Sequence, residues 1–425
     1  MELEISPAKS INGVLEMPGD KSISHRALIF GSLCEGRVEV KNFLEAGDCL
    51  STLESLRKLG VAIERKGSDA VVCGVGKYGF KQPSEAIDVK NSGTTMRILP
   101  GLLAAQPYET TLVGDSSLSK RPMNRVIEPL TKMGAKIESR EGGLAPLKII
   151  GGELKGIDYT SPVASAQVKS ALLLAGLYAD GRTTVHEKYQ SRDHTERMLK
   201  YLGADIGING TSYTIEGNSQ LAAKPIIVPG DISSAAFFIV AALLLDSDLT
   251  IKNVGVNKTR TGVLEVLKKA GANIELHEET LNNNEPVADL HIQNSKLAPI
   301  TITAEDVPLV VDEIPILAVA ATQIDGTSVI SGAEELRVKE TDRLEAISSQ
   351  LKFMGANIEE KKDGLIIKGP TKLSGATLDS GGDHRMAMSL AIAALVAEGQ
   401  TVIKGAESID ISLPGFKDLL QTVAS

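Results

Sequence analysis

The chain has 425 residues, of which 42% are hydrophobic and 23% charged, a balance that excludes general disorder and leaves room for two or three domains. A net charge of −9 argues against a nucleic-acid or anionic-membrane binder, while still permitting a local basic pocket. Seven Tyr, seven Phe and no Trp are too few to build base-stacking platforms.

Read in chain order, the amino terminus MELEISPAKS lacks a basic stretch followed by an apolar one, so no export signal is expected and a cytoplasmic location is. Cys34, Cys49 and Cys73 form neither a CxxC pair nor a metal-ligand pattern and read as reduced thiols. The longest apolar runs, Ala235–Leu245 and Ala387–Ala397, are far shorter than the ~20 residues of a membrane span and read as buried helices.

Two elements then recur along the chain. The string Leu-x-x-[Leu/Met/Ala]-Gly-[Ala/Val]-x-Ile occurs with its glycine at Gly60, Gly134, Gly203, Gly271 and Gly355. It predicts an amphipathic helix stopped by a left-handed glycine, then a strand whose Ile points inward. Interleaved with it is an Ala/Leu-rich helix, apolar on all sides and hence buried, followed by a Val/Thr strand. This second element covers Ser24–Val40, Thr94–Val113, Ala166–Val185, Ser233–Ile251, Ile314–Ile330 and Arg385–Ile403. The period is about 70 residues and the pattern predicts an α/β layered architecture. Six repeats divide into two halves of three: residues 13–228, and residues 1–12 plus 229–425. The sixth repeat ends at the stripe Phe416, Leu419, Leu420 and Val423 with no strand after it, so Leu3–Ile5 is expected to complete the second half.

The starts of the six buried helices carry the chemistry. They read Gly19–Arg26, Asn91–Arg97, Ser161–Lys169, Pro229–Ser234, Val311–Pro315 and Gly381–Arg385. Ser, Asn, Asp and Gly are ordinary capping residues. Arg26, Arg97 and Lys169 are not, because a cation in the first turns opposes the helix dipole unless an anion sits there. Free N–H groups, hydroxyls and cations together make an anion site. Asp312 and Glu313 open a buried helix, where a carboxylate needs capping duty or a functional partner. Gly114–Met123 reads as a polar loop with the two cations Lys120 and Arg121 near its end, a lid or a clamp. Gly74, Gly76 and Gly79 spell GxGxxG, but Pro83 follows and no helix opens, so no dinucleotide site is expected. No histidine pattern points to a metal.

In order, PGDKSISHRA, NSGTTMR, KRPM, SAQVKSALLLAG, RDHTE, NKTR, LRVKETDRL and DHRMAMS resemble 5-enolpyruvylshikimate-3-phosphate synthases, of the branch called class II. The resemblance implies the inside-out α/β barrel of enolpyruvyl transferases: two domains of three βαβαββ units around a cleft, closing to exclude water. It implies transfer of the enolpyruvyl group of phosphoenolpyruvate to the 5-hydroxyl of shikimate 3-phosphate, releasing phosphate through a tetrahedral intermediate, in chorismate and aromatic amino acid biosynthesis. By motif, Lys21, Gly93, Thr94, Arg121, Gln167, Arg343 and Arg385 would hold phosphoenolpyruvate. Lys21, Ser22, Arg26, Ser165, Ala166, Gln167, Arg192, Asp312 and Lys339 would hold shikimate 3-phosphate. Asp312 would take the hydroxyl proton, Glu340 would protonate the methylene carbon, and Lys21 would join them as a catalytic residue. No metal or organic cofactor is implied, and a monomer is expected. Ile411 stands where many members carry Lys, and Ala166 offers only its backbone. A UDP-N-acetylglucosamine enolpyruvyl transferase is the same-fold alternative, but the lid lacks its usual Cys. A non-catalytic phosphometabolite-binding module is the other alternative, and it leaves Asp312 and Glu340 without a task.

Overall fold

A computed structural model describes all 425 residues. The helices are α1 (Lys21–Leu33), α2 (Gly47–Lys58), α3 (Gly93–Leu103), α4 (Asn124–Lys132), α5 (Ala166–Gly176), α6 (His194–Tyr201), α7 (Ile232–Leu244), α8 (Gly262–Lys269), α9 (Val307–Val310), α10 (Ile314–Gln323), α11 (Arg343–Phe353), α12 (His384–Leu395) and α13 (Phe416–Val423). Helices α1, α3, α5, α7, α10 and α12 are the buried set, and α2, α4, α6, α8 and α11 are the amphipathic set that ends in the repeated glycines. All five glycines have φ between +87° and +107°, so the same left-handed stop recurs wherever the motif does.

Six small sheets follow one plan. In the sheet Ile87–Asp88, Glu109–Val113, Leu144–Ile150, Lys136–Arg140, the first strand runs parallel to the second and the last two form a hairpin against it. The sheet Thr301–Ile302, Gly326–Ile330, Gly364–Gly369, Asn357–Lys361 repeats it. The sixth has only three strands: Thr377–Asp379, Thr401–Lys404 and Glu2–Ile5. There the amino-terminal strand pairs antiparallel with Thr401–Lys404 and buries Leu3 and Ile5, taking the place of the missing hairpin.

The chain divides into two compact units. Unit 1 comprises Met1–Pro18, Pro229–Thr280 and Pro286–Ser425, and unit 2 comprises Gly19–Val228 and Leu281–Glu285. The expected break at residue 13 is therefore corrected to Pro18/Gly19. The strand Ser10–Glu16 pairs along its length with Asp246–Gly255, and those ladder bonds hold it in unit 1. The mirror-image exchange occurs at the other break, where Ile226–Ile227 pairs with Glu35–Lys41 inside unit 2 just before the chain enters α7. Both crossings spell Pro-Gly-Asp, and Asp20 and Asp231 cap α1 and α7. Residues 281–285 also depart from the expected division, because buried Glu285 meets His194 Nδ1 at 2.8 Å and Asn283 bonds Ile227.

Each unit has its own apolar core. In unit 1, α7, α10 and α12 pack on one another. In unit 2, α3 packs closely on α5 because Gly101 lies against the Ala171 carbonyl, where any side chain would collide. Packing of this kind holds the helix starts at fixed positions within each unit.

Candidate functional site

Unit 2 presents three capped helix starts. Asp20 accepts from Ile23 N at 2.8 Å, Ser92 from Thr95 N at 3.3 Å, and Ser165 from Val168 N at 3.4 Å. A buried chain joins the first two: His25 Nδ1 to Thr52 at 2.6 Å, Thr52 to Thr95 at 2.6 Å, and Thr95 to Ser92 at 2.7 Å. Burial, aided by the charges of Lys21 and Arg26, holds the His25 imidazole well below its ordinary pKa, so it is neutral.

At the start of α3, two guanidiniums lie close against Gly93. A Cβ there would lie 2.9 Å from Arg97 Nη1 and 3.5 Å from Arg121 Nη1. Gln167, from α5, receives Arg97 Nη1 on its Oε1 at 3.2 Å and donates Nε2 to Thr94 Oγ1 at 3.1 Å. Arg121 Nη2 donates to Asn91 Oδ1 at 3.2 Å and to Ser117 Oγ at 3.3 Å. A helix amino terminus with two guanidiniums gathered beside it is anion-binding chemistry.

Lys21 opens α1 with its Nζ 3.3 Å from Asp48. Arg26 is buried: its Nε donates to Thr195, Nη2 to Ser170, both at 2.7 Å, and Nη1 to the Ser22 carbonyl at 2.8 Å. Burial lowers its pKa to about 10, and the guanidinium ties α1 to α5 and α6 while keeping further N–H groups. Ser22 and Arg192 are half-buried, and Ala166 is the first residue of α5.

Unit 1 gathers its charges around Arg343, the first residue of α11. Its Nε lies 2.7 Å from Asp383 Oδ2, its Nη2 2.6 Å from Glu340 Oε2, and its Nη1 3.4 Å from Asp312 Oδ1. Burial works against this charge, but the three carboxylates outweigh it and raise the pKa. Burial likewise works to raise Asp383, yet Arg343 holds it below the usual carboxylate range. Asp383 also caps α12, accepting from Arg385 N at 2.9 Å. The Arg385 side chain reaches the Asp312 carbonyl at 3.1 Å and Asp312 Oδ2 at 3.6 Å. Glu313, fully buried, accepts from Ser233 and lies 3.7 Å from Arg385 Nη1. Lys339 sits 3.6 Å from Glu335, its pKa lowered chiefly by burial, with Arg343 adding to the effect.

Residues 5–420 match the profile of the family described as EPSP synthase (3-phosphoshikimate 1-carboxyvinyltransferase). The chain belongs to the EPSP synthase family. A 3-phosphoshikimate 1-carboxyvinyltransferase of Brevibacillus brevis is 51% identical over 424 residues, covering 99% of this chain and 100% of that protein. One from Thermoanaerobacter sp. is 52% identical over 417 residues, with 98% of each chain covered. The EPSP synthase structure from Acinetobacter baumannii superimposes with a TM-score of 0.90 at 44% identity, covering 100% of this chain and 98% of that one.

Within this EPSP synthase-family chain, one expected anion ligand is overturned. Lys169 is buried, with its Nζ 2.9 Å from Glu187, 2.7 Å from Glu196 and 3.9 Å from the Tyr213 ring centroid. Two carboxylates saturate it, so it is an internal strut and offers no charge to a ligand. The charge-dense Glu334–Arg343 run lies just ahead of and into α11. It forms a short 3₁₀ turn over Glu334–Val338, and α11 begins only at Arg343, capped by Asp342. Reasoning from sequence missed Asp383 and Asp48 as site neighbours, whereas Glu313, left open between capping and a functional partner, meets Ser233 and Arg385. Asp383 stood inside a recognised helix start, but nothing in the chain marks Arg343 as its partner.

Proposed function

We infer that this chain transfers the enolpyruvyl group of phosphoenolpyruvate to the 5-hydroxyl of shikimate 3-phosphate and releases phosphate. The gathering of Arg97 and Arg121 beside Gly93 at the start of α3 carries this reading, because two guanidiniums at a helix amino terminus suit a phosphate or carboxylate. Lys21, Gly93, Thr94, Arg121, Gln167, Arg343 and Arg385 hold phosphoenolpyruvate. Lys21, Ser22, Arg26, Ser165, Ala166, Gln167, Arg192, Asp312 and Lys339 hold shikimate 3-phosphate. Arg97 joins the donor's ligands, an addition prompted by its place beside Gly93.

The carboxylates around Arg343 and Arg385 bear on the proton transfers. An incoming substrate anion competes with Asp312 and Glu340 for those guanidiniums. A carboxylate that loses a cation holds a proton more tightly. Binding therefore readies Asp312 to take the 5-hydroxyl proton and Glu340 to carry a proton to the methylene carbon. Lys21 balances the negative charge that builds on the intermediate. No helix is long and apolar enough to cross a membrane; a cytoplasmic monomer is the state proposed.

Purified protein given both substrates should release phosphate and form the enolpyruvyl ether. Phosphate release with UDP-N-acetylglucosamine instead would reassign the acceptor, and release with neither would leave a binding module. Gly93→Ala is expected to raise KM for phosphoenolpyruvate about tenfold, since the methyl displaces Arg97, while KM for shikimate 3-phosphate shifts less than twofold. Steady-state kinetics with each substrate varied checks both.

A further inference from the structure

The sheet built on Asp246–Gly255 turns an outward face that the enolpyruvyl reaction leaves unused. Along Asn273–Asn282, Glu275 and His277 stand two residues apart and so project from the same face. His291, on the adjacent strand Glu285–Gln293, lies beside them, between the buried Leu290 and Ile292 that face the core. One ligand atom from each of the three lies within 4.8 Å of the other two. His277 Nε2 is 3.2 Å from Glu275 Oε2, and the two imidazole rings are 6.3 Å apart between centroids. On the third strand, Asp248 Oδ1 is 2.7 Å from His291 Nε2.

We propose that Glu275, His277 and His291 form a binding site for a borderline divalent ion of the Zn²⁺, Ni²⁺ or Cu²⁺ class. Two imidazoles and one carboxylate are the donors such ions prefer, whereas Mg²⁺ and Ca²⁺ select sites built wholly from oxygen. Bonds of about 2.0–2.2 Å require the ligand atoms to draw closer than their present separation. The Glu275 and His277 side chains are more than half exposed, so rotation about their own bonds suffices and the strands need not move. The hydrogen-bonded sheet meanwhile fixes the backbone to which they are attached. Asp248 is the outer carboxylate that orients the His291 ring, a role that typically changes metal affinity 10–100-fold. The bound ion clasps two strands of unit 1, and water completes its coordination.

The test is calorimetric titration of the full chain with zinc chloride, then nickel chloride and magnesium chloride. One equivalent of zinc or nickel is expected to bind, and magnesium is expected not to compete. The H277A/H291A double variant should lose at least tenfold in zinc affinity, and Asp248→Asn about tenfold. Zinc should raise the melting temperature of the wild type and leave the double variant unmoved. Cys34 and Cys49 are buried and Cys73 half-buried, so zinc taken up by thiols would survive in the double variant. The proposal is overturned by absent binding, by binding that persists without the two histidines, or by magnesium binding equally well.

Discussion

Replacing Asp312 by Asn is expected to lower kcat by a factor of about 10²–10⁴, the usual contribution of a placed general base. The amide keeps the size of the side chain, and the Asp312 carbonyl that Arg385 reaches at 3.1 Å is untouched. Arg343 and Arg385 each lose one carboxylate partner, so both meet an incoming anion with less competition. KM for phosphoenolpyruvate should accordingly hold or fall while kcat drops, a split that distinguishes lost chemistry from lost binding. Steady-state kinetics beside a melting curve measures it. An unchanged kcat would place the base elsewhere, with Glu340 the next residue to replace.

The second large effect is on stability. Asp383→Ala should cost about 1–3 kcal/mol, because it removes the most buried of the three carboxylates around Arg343 and leaves a buried guanidinium donor without its acceptor. Loss of the α12 cap should add about 1 kcal/mol. Urea unfolding followed by circular dichroism would show a lower midpoint for the transition that includes unit 1. Asp383→Asn keeps the cap acceptor and the volume, so its loss should be smaller. Equal stability of all three proteins would mean that Asp383 does not hold Arg343.

Much of the architecture was readable because it depends on local signals. The five glycines end their helices wherever the Leu-x-x-x-Gly string stands, and the run without polar residues from Ala235 to Leu245 is buried as a helix must be. The missing last hairpin was legible too, since a helix stripe at Phe416–Val423 without a following strand leaves a place that Leu3–Ile5 fills. What escaped were partners set by distant contacts. Lys169 has the spacing of Arg26 and Arg97, and only the fold brings Glu187 and Glu196 to it. The strand Ser10–Glu16 precedes α1 in sequence but pairs with Asp246–Gly255, a choice that backbone hydrogen bonding makes without regard to side-chain pattern. Asp383 shows the same limit within the site, since capping explained it fully until Arg343 came into view.

The strand pairing of unit 1 has a consequence for biosynthesis. Glu2–Ile5 is made before any of unit 2, yet its mate Thr401–Lys404 is made after all of it. Unit 2 is contiguous apart from Leu281–Glu285, so its core can condense while the chain is still growing. The nascent amino-terminal segment must stay unpaired through that interval, and its alternation of Glu2 and Glu4 with Leu3 and Ile5 puts charge on one face of an otherwise adhesive ribbon. Glu2–Ile5 thus closes on its partner only after the whole unit that lies between them in the chain has been made.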